Sequence, residues 1–151
     1  MDASAVNALL ETAQYSQMTA RESALAREWI RRHAAEYDSL EFNAAVGAGV
    51  ELGPQFSAEI RRQAMLGTRK RADIIARRGD RATIVELKNT LNAEALTQLL
   101  AYSALFSVDH PGIAIEQLYA VGRQAIEGAP EILGARGVTV EIYGSTPLAA
   151  V

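Results

Sequence analysis

Asp73, Glu86 and Lys88 lie close together in the chain and carry groups that could do chemistry at a phosphodiester: two carboxylates and an ammonium. Two strand-like runs hold them, Ala72 to Ala76 (ADIIA) and Ala82 to Lys88 (ATIVELK), on either side of Arg78-Gly79-Asp80-Arg81. Gly-Asp is a two-residue turn signal with glycine at the first central position. With that turn, facing residues have numbers that sum to 159, so Arg78 meets Arg81, Ile75 meets Ile84 and Asp73 falls opposite Glu86. Alternation along a strand puts Glu86 and Lys88 on one face, and Asp73 shares it. Carboxylates opposed across neighbouring strands repel. A hard divalent cation such as Mg²⁺, which takes carboxylate and carbonyl oxygens, would offset that cost. Asp73, Glu86 and the carbonyl of Leu87 would hold the ion, which would polarise a phosphodiester and acidify a water. Lys88 would orient that water or stabilise charge on the phosphate. The same residues also suit a solvent-exposed hairpin of mixed charge, and the hairpin geometry leaves both readings open.

Several elements must position this hairpin. Ser4 to Tyr15 reads as a short helix, and Thr19 with Glu22 has the spacing of a capping box for a helix from about Ala20 to Glu36. Leu25, Trp29 and Ile30 supply that helix with its apolar stripe. Leu40 to Leu52 mixes β-formers with glycine and reads as one bent or bulged strand, or two, ended by Gly53-Pro54. Gln55 to Arg71 is ambiguous between a strand with a loop and a short helix around Ala58 to Leu66. After the hairpin, Asn92 is expected to cap a helix from Ala93 to about Phe106, stopped by Asp109-His110-Pro111-Gly112. A strand at Gln117 to Gly122, a weak helix at Ala129 to Leu133 and a last strand at Val138 to Tyr143 complete the order. One α/β domain over residues 1–151 is expected, with residues 1–18 as an N-terminal helical extension and a mixed central sheet flanked by helices.

Asp73 followed at a distance by Glu86-Leu87-Lys88 resembles the D-x(n)-[D/E]-x-K core of the PD-(D/E)XK nuclease superfamily. Ala72 stands where that family's name has proline. The next helix carries Gln98-Leu99-Leu100-Ala101-Tyr102, similar to the Q-x-x-x-Y motif of the RecB-like branch, with both polar residues on one helix face. The resemblance implies a restriction-endonuclease-like fold and Mg²⁺-dependent hydrolysis of DNA, with Mn²⁺ able to substitute. It also implies that Gln98 and Tyr102 support the site or contact the strand, and that the first core helix contributes an acid. Glu22 suits that role best, ahead of Glu28 and Glu36, although a capping or surface glutamate explains each of them as well. Arg69 and Arg71, just before Asp73, are placed to flank substrate phosphates, or they belong to a solvated charge run.

Composition agrees with a globular domain of ordinary balance: 151 residues, 49% hydrophobic and 22% charged. There is no cysteine, which excludes disulfides and thiolate zinc sites. His33 and His110 assemble no histidine metal cluster, and no phosphate-binding G-x-x-x-x-G-K-[ST] loop occurs. No apolar run is long enough to span a bilayer and the start lacks signal-peptide character, so a cytoplasmic setting away from membranes is expected. Net charge is −3, yet Arg61 to Lys88 holds nine basic residues against three acids, a local footprint suited to phosphates. DNA is the expected partner. A compact domain with no recognition module suggests structure-specific cleavage, a homodimer, or service within a larger DNA-processing or phage-defence complex. The rival reading is a non-catalytic nucleic-acid-binding or assembly subunit on the same fold, which the acidic total charge favours.

Overall fold

The computed structural model describes residues 1–144. Helices α1 (Ala3–Glu11) and α2 (Ala20–His33) lead through a 3₁₀ turn, Ala34–Glu36, into β1 (Ser39–Val46). Helix α3 (Ala58–Thr68) separates β1 from the hairpin β2 (Lys70–Arg78) and β3 (Arg81–Leu91). Then follow α4 (Glu94–Asp109), β4 (Ala114–Ala125), α5 (Ala129–Ala135) and β5 (Val138–Ile142). The strands form one sheet in chain order, β1-β2-β3-β4-β5, antiparallel across the first three and parallel from β3 to β5. The mixed α/β sheet with flanking helices is the architecture the sequence implies.

Local chemistry explains most boundaries. Thr19 Oγ1 accepts the Glu22 N–H and Glu22 Oε2 accepts the Thr19 N–H at 2.8 Å, a complete capping box at the start of α2. The tight β2–β3 turn is open at Gly79, where φ is +57°, and this sets the register from Arg78↔Arg81 to Ile74↔Val85. At α4 the expected cap is displaced: Ala93 occupies the cap position, and Asn92 Oδ1 instead accepts the Glu94 N–H at 3.1 Å. The ambiguous stretch before β2 is helix α3, started by Ser57 Oγ accepting the Ile60 N–H.

Two cores lie on opposite faces of the sheet. On one, Leu25, Trp29 and Ile30 of α2 pack on Ile74, Val85, Leu87 and Val121. On the other, Leu99, Tyr102 and Phe106 of α4 pack on Ile75, Ile84 and Ala120, with Leu133 of α5. Trp29 is fully buried between Tyr37 and Tyr119, whose ring centroids lie 5.7 and 5.6 Å away. Truncating such a residue to alanine costs on the order of 3–5 kcal/mol.

Candidate active site at the opened hairpin

The β2–β3 ladder stops at Ile74↔Val85, one residue short of Asp73 and Glu86. The other side of β2 shows why. Phe42 pairs with Ile74 and Ala44 with Ala72, but Phe42 and Ile74 belong with the α2 core, whereas Ala44 and Ala72 belong with the α4 core. Side-chain alternation therefore breaks between them, where Asn43 takes the left-handed value φ +48°. The expectation that Asp73 pairs directly with Glu86 is corrected in this respect. The strands part here, and Asp73 Oδ2 reaches over to accept the Leu87 N–H at 2.7 Å.

Glu86 faces inward from β3 and is 5% exposed. Its Oε1 lies 3.9 Å from Lys88 Nζ, while its buried Oε2 has no hydrogen-bond partner. Only two other buried side-chain atoms among the described residues share that condition, Gln98 Oε1 and Trp29 Nε1. Burial raises the Glu86 carboxyl above the usual range and the Asp73 charge raises it further, with Lys88 opposing. Burial also raises Asp73, against the pull of the Leu87 N–H. The two carboxyls are thus coupled, and Lys88 alone does not offset the cost of charging both.

Glu22 closes this acidic group from the α2 side. Its carboxylate serves the capping box, and its charge raises both Asp73 and Glu86. Glu28 is instead taken up by Arg31 and Arg32 at 3.3 and 2.8 Å. Glu36 is exposed in the 3₁₀ turn, where its charge acts on Tyr37 and Tyr119. From α4, Tyr102 is buried and its hydroxyl is pushed up to about 12, by burial first and then by the Glu86 and Asp73 charges. Gln98 lies one turn earlier on the same helix face. The structure thus draws Asp73, Glu86, Lys88, Glu22 and Tyr102 into one electrostatic neighbourhood.

Arg69 and Arg71 are turned to the protein itself. Arg69 Nε donates to the Gly47 carbonyl and its Nη2 lies 3.9 Å from Asp109, while Arg71 Nη1 donates to the Asn43 carbonyl at 3.0 Å. Sequence reasoning missed Gln17 and Asn43, the two non-glycine residues with positive φ among those described. Asn43 Nδ2 donates to Gln17 Oε1 at 2.8 Å, tying the loop before the Glu22 capping box to the strand beside Asp73. An asparagine inside a β-forming run was the available signal, because asparagine tolerates the left-handed region. Gln17 offered none.

The donors on offer are hard oxygens, which suit Mg²⁺ or Mn²⁺ rather than softer metals. Among the described residues, no three His, Cys, Asp or Glu side chains lie close enough to hold a metal unaided. An ion on Asp73 and Glu86 would leave positions for a backbone oxygen, water and phosphate, as Mg²⁺ commonly requires. A second polar cluster lies apart, where His33 Nε2 meets Glu141 Oε1, Tyr143 Oη donates to the same oxygen at 3.2 Å and Arg32 stacks 4.1 Å over the Tyr143 ring.

No protein-family model and no curated protein matches the chain. Among solved structures, an EndoMS–dsDNA complex aligns at 14% identity and TM-score 0.46, over 90% of this chain and 49% of its own. EndoMS in its apo form aligns at 18% identity and TM-score 0.46, over 89% and 49%. A repair endonuclease from Pyrococcus abyssi aligns at 14% identity and TM-score 0.45, over 89% and 50%. The chain spans about half the length of each of these solved chains. The likeness is one of chain path and decides nothing about chemistry. No helix among the described residues is long and apolar enough to cross a membrane.

Proposed function

We propose that this domain is a Mg²⁺-dependent nuclease hydrolysing DNA phosphodiester bonds, with Mn²⁺ able to replace Mg²⁺. The observation that carries this reading is Glu86 Oε2, buried with no donor to satisfy it, beside Asp73 in a group of acids that Lys88 alone does not neutralise. A purely structural carboxylate at that depth would be paired. The donor set fits the ion: two adjoining carboxylates, one with a free buried oxygen, and the Leu87 carbonyl between Glu86 and Lys88. A divalent cation bound there supplies charge for the phosphodiester and acidifies a water.

The remaining work falls to this chain's own groups. Asp73 is held at 2.7 Å by the Leu87 N–H, so its carboxylate is fixed toward β3 before substrate arrives. The Lys88 ammonium lies 3.9 Å from Glu86, and in this reading it holds the attacking water or balances charge building on the phosphate. Gln98 Oε1, buried and unpartnered, is an acceptor available to position that water. Tyr102 stays protonated and can donate from its hydroxyl. Glu22 adds negative charge from α2 and strengthens the demand for a cation. These roles accord with the PD-(D/E)XK resemblance and its Q-x-x-x-Y branch.

The test is cleavage of supercoiled plasmid, linear duplex, single-stranded and branched DNA in Mg²⁺ and in Mn²⁺, beside Glu86→Gln and Lys88→Ala. Metal-dependent cutting that both substitutions abolish is the expected result. Folded protein that binds DNA without cutting any of these substrates would turn the reading to an assembly role.

A further inference from the structure

We infer that the segment between β1 and β2, with the first residue of β2, is a nucleic-acid-gripping arm in which Arg61, Arg62 and Lys70 meet phosphates and Phe56 packs on sugar or base. This rests on the nuclease reading and adds where the substrate is held.

The arm has a tight root. Gly47 N–H donates to Asp109 Oδ2 at 2.9 Å, and Arg69 donates back to the Gly47 carbonyl. Val50 N–H donates to Thr68 Oγ1 at 2.5 Å. Gly49 has φ +77°, and a Cβ there would stand 2.0 Å from the Met65 carbonyl oxygen, so only glycine fits the crossing. Beyond this neck the chain is bare. Every residue from Ala58 to Gln63 of α3 is exposed. Val50, Phe56, Ile60 and Leu66 are four of the nine large exposed apolar residues among those described. An isolated helix of this length is marginal in water, so a surface laid against it would add stability that its own packing does not supply.

Charge identifies that surface. From Ser57 to Ala72 the chain carries Arg61, Arg62, Arg69, Lys70 and Arg71 against Glu59 alone, within a protein of net charge −3. Arg69 and Arg71 are spent on carbonyls, whereas Arg61, Arg62 and Lys70 are exposed and make no ion pair among the described residues. The apolar side chains do not form the single stripe that a partner helix or a second copy would bury. Ile60 and Leu66 point roughly 120° apart around the helix, at 3.6 residues per turn. Arg61 adjoins Ile60, and Arg62 lies one turn before Leu66. Cations interleaved with apolar and aromatic groups suit a phosphate backbone with its sugars and bases. The placement fits as well: Lys70 opens β2, and Asp73 follows three residues, roughly 10 Å, along the strand.

The experiment is fluorescence anisotropy of labelled duplex and single-stranded DNA over a salt series, in Ca²⁺ in place of Mg²⁺ so that binding is read without cutting. Wild type is compared with R61A/R62A, with F56A and with R136A, an exposed arginine capping the C-terminus of α5, just before β5 at the other edge of the sheet from β1. R61A/R62A is expected to weaken binding roughly tenfold or more and to flatten the log–log salt slope by about 2, close to 0.9 for each phosphate contact. F56A is expected to weaken single-strand binding more than duplex binding. Wild type that cuts DNA while R61A/R62A binds like R136A would overturn the arm and leave the nuclease reading standing. Wild type that neither binds nor cuts would remove both. A concentration-dependent dimer broken by I60D/L66D, with DNA affinity unmoved, would give the arm to a second copy instead.

Discussion

Glu86 and Glu141 are built from similar surroundings and are satisfied very differently. Each is a strand carboxylate with a tyrosine and a basic group nearby. Glu141, with 23% of its side chain exposed, is met by His33 Nε2 and by the Tyr143 hydroxyl, and Arg32 closes over the ring. Glu86, with 7% of its side chain exposed, has Lys88 at 3.9 Å on one oxygen and no donor on the other, while the adjoining Asp73 and Glu22 add charge of its own sign. The buried carboxylate is therefore the less satisfied of the two, the reverse of what stability alone would arrange. Burial by itself does not single out a working residue. A charged group short of partners at depth is what the proposed reading rests on.

Removing each carboxylate in turn tests that contrast most severely. Glu86→Gln is expected to lower cleavage by on the order of 10²–10³-fold, as for other preorganised electrostatic groups, while thermal stability holds or rises. Glu141→Gln is expected to leave cleavage near wild type; comparable losses in the two variants would erase the distinction. In denaturant unfolding the order reverses. Glu141→Ala should cost about 1–2 kcal/mol, because it strands the His33 ring and the Tyr143 hydroxyl.

A pH series sharpens the comparison further. The pair around Glu86 and Asp73 titrates higher in the folded protein than in the unfolded chain, mainly through burial. Its contribution to stability is then fully present below the ordinary carboxylate range. It is lost as pH rises through the raised values, about 6 for Asp73 and about 8 for Glu86. Metal-free protein should melt progressively lower over that interval, and added Mg²⁺ should restore more stability at the high end than at the low end. A Mg²⁺ effect of equal size at every pH would argue against the carboxylate pair as its seat. The smallest effect is expected at Asn43. Asn43→Ala loses tolerance of φ +48° and the link to Gln17, for about 1 kcal/mol, whereas Asn43→Gly should lie near wild type in the same melts.

The hairpin register was legible because a single dipeptide, Gly79-Asp80, sets it, and the Thr19–Glu22 spacing likewise announced α2. What escaped was decided by tertiary packing. The reversal of faces at Asn43 and Asp73 arises where the β1–β2 ribbon turns from the α2 core to the α4 core; a bend was legible in this stretch, but its position and the faces it exchanges are set by tertiary packing. For the same reason β1 ends at Val46, short of the longer bent strand expected to Leu52, since Gly47 and Gly49 are consumed in the neck of the arm. Arg69 and Arg71 looked like phosphate ligands by their position before Asp73, yet the carbonyls they meet come from β1 and the residue after it. Glu22 carried two readings in the sequence, cap or acid, and its carboxylate does serve as the cap while its charge reaches the pair.

The sheet whose strand order follows the chain has a consequence for how the protein is made. Each strand pairs with the one synthesised just before it, so β1, β2 and β3 can pair before β4 exists, β2 and β3 through a tight turn and β1 and β2 across the α3 arm. Asp73, Glu86 and Lys88 all belong to that early unit. Until β4 arrives, however, β3 is an open edge carrying Ile84, Val85 and Leu87, the kind of strand that recruits neighbours. The interval between completing β3 and docking β4 is when a nascent chain is most exposed to aggregation: α2, made earlier, can already cover Val85 and Leu87, but the edge itself waits for β4.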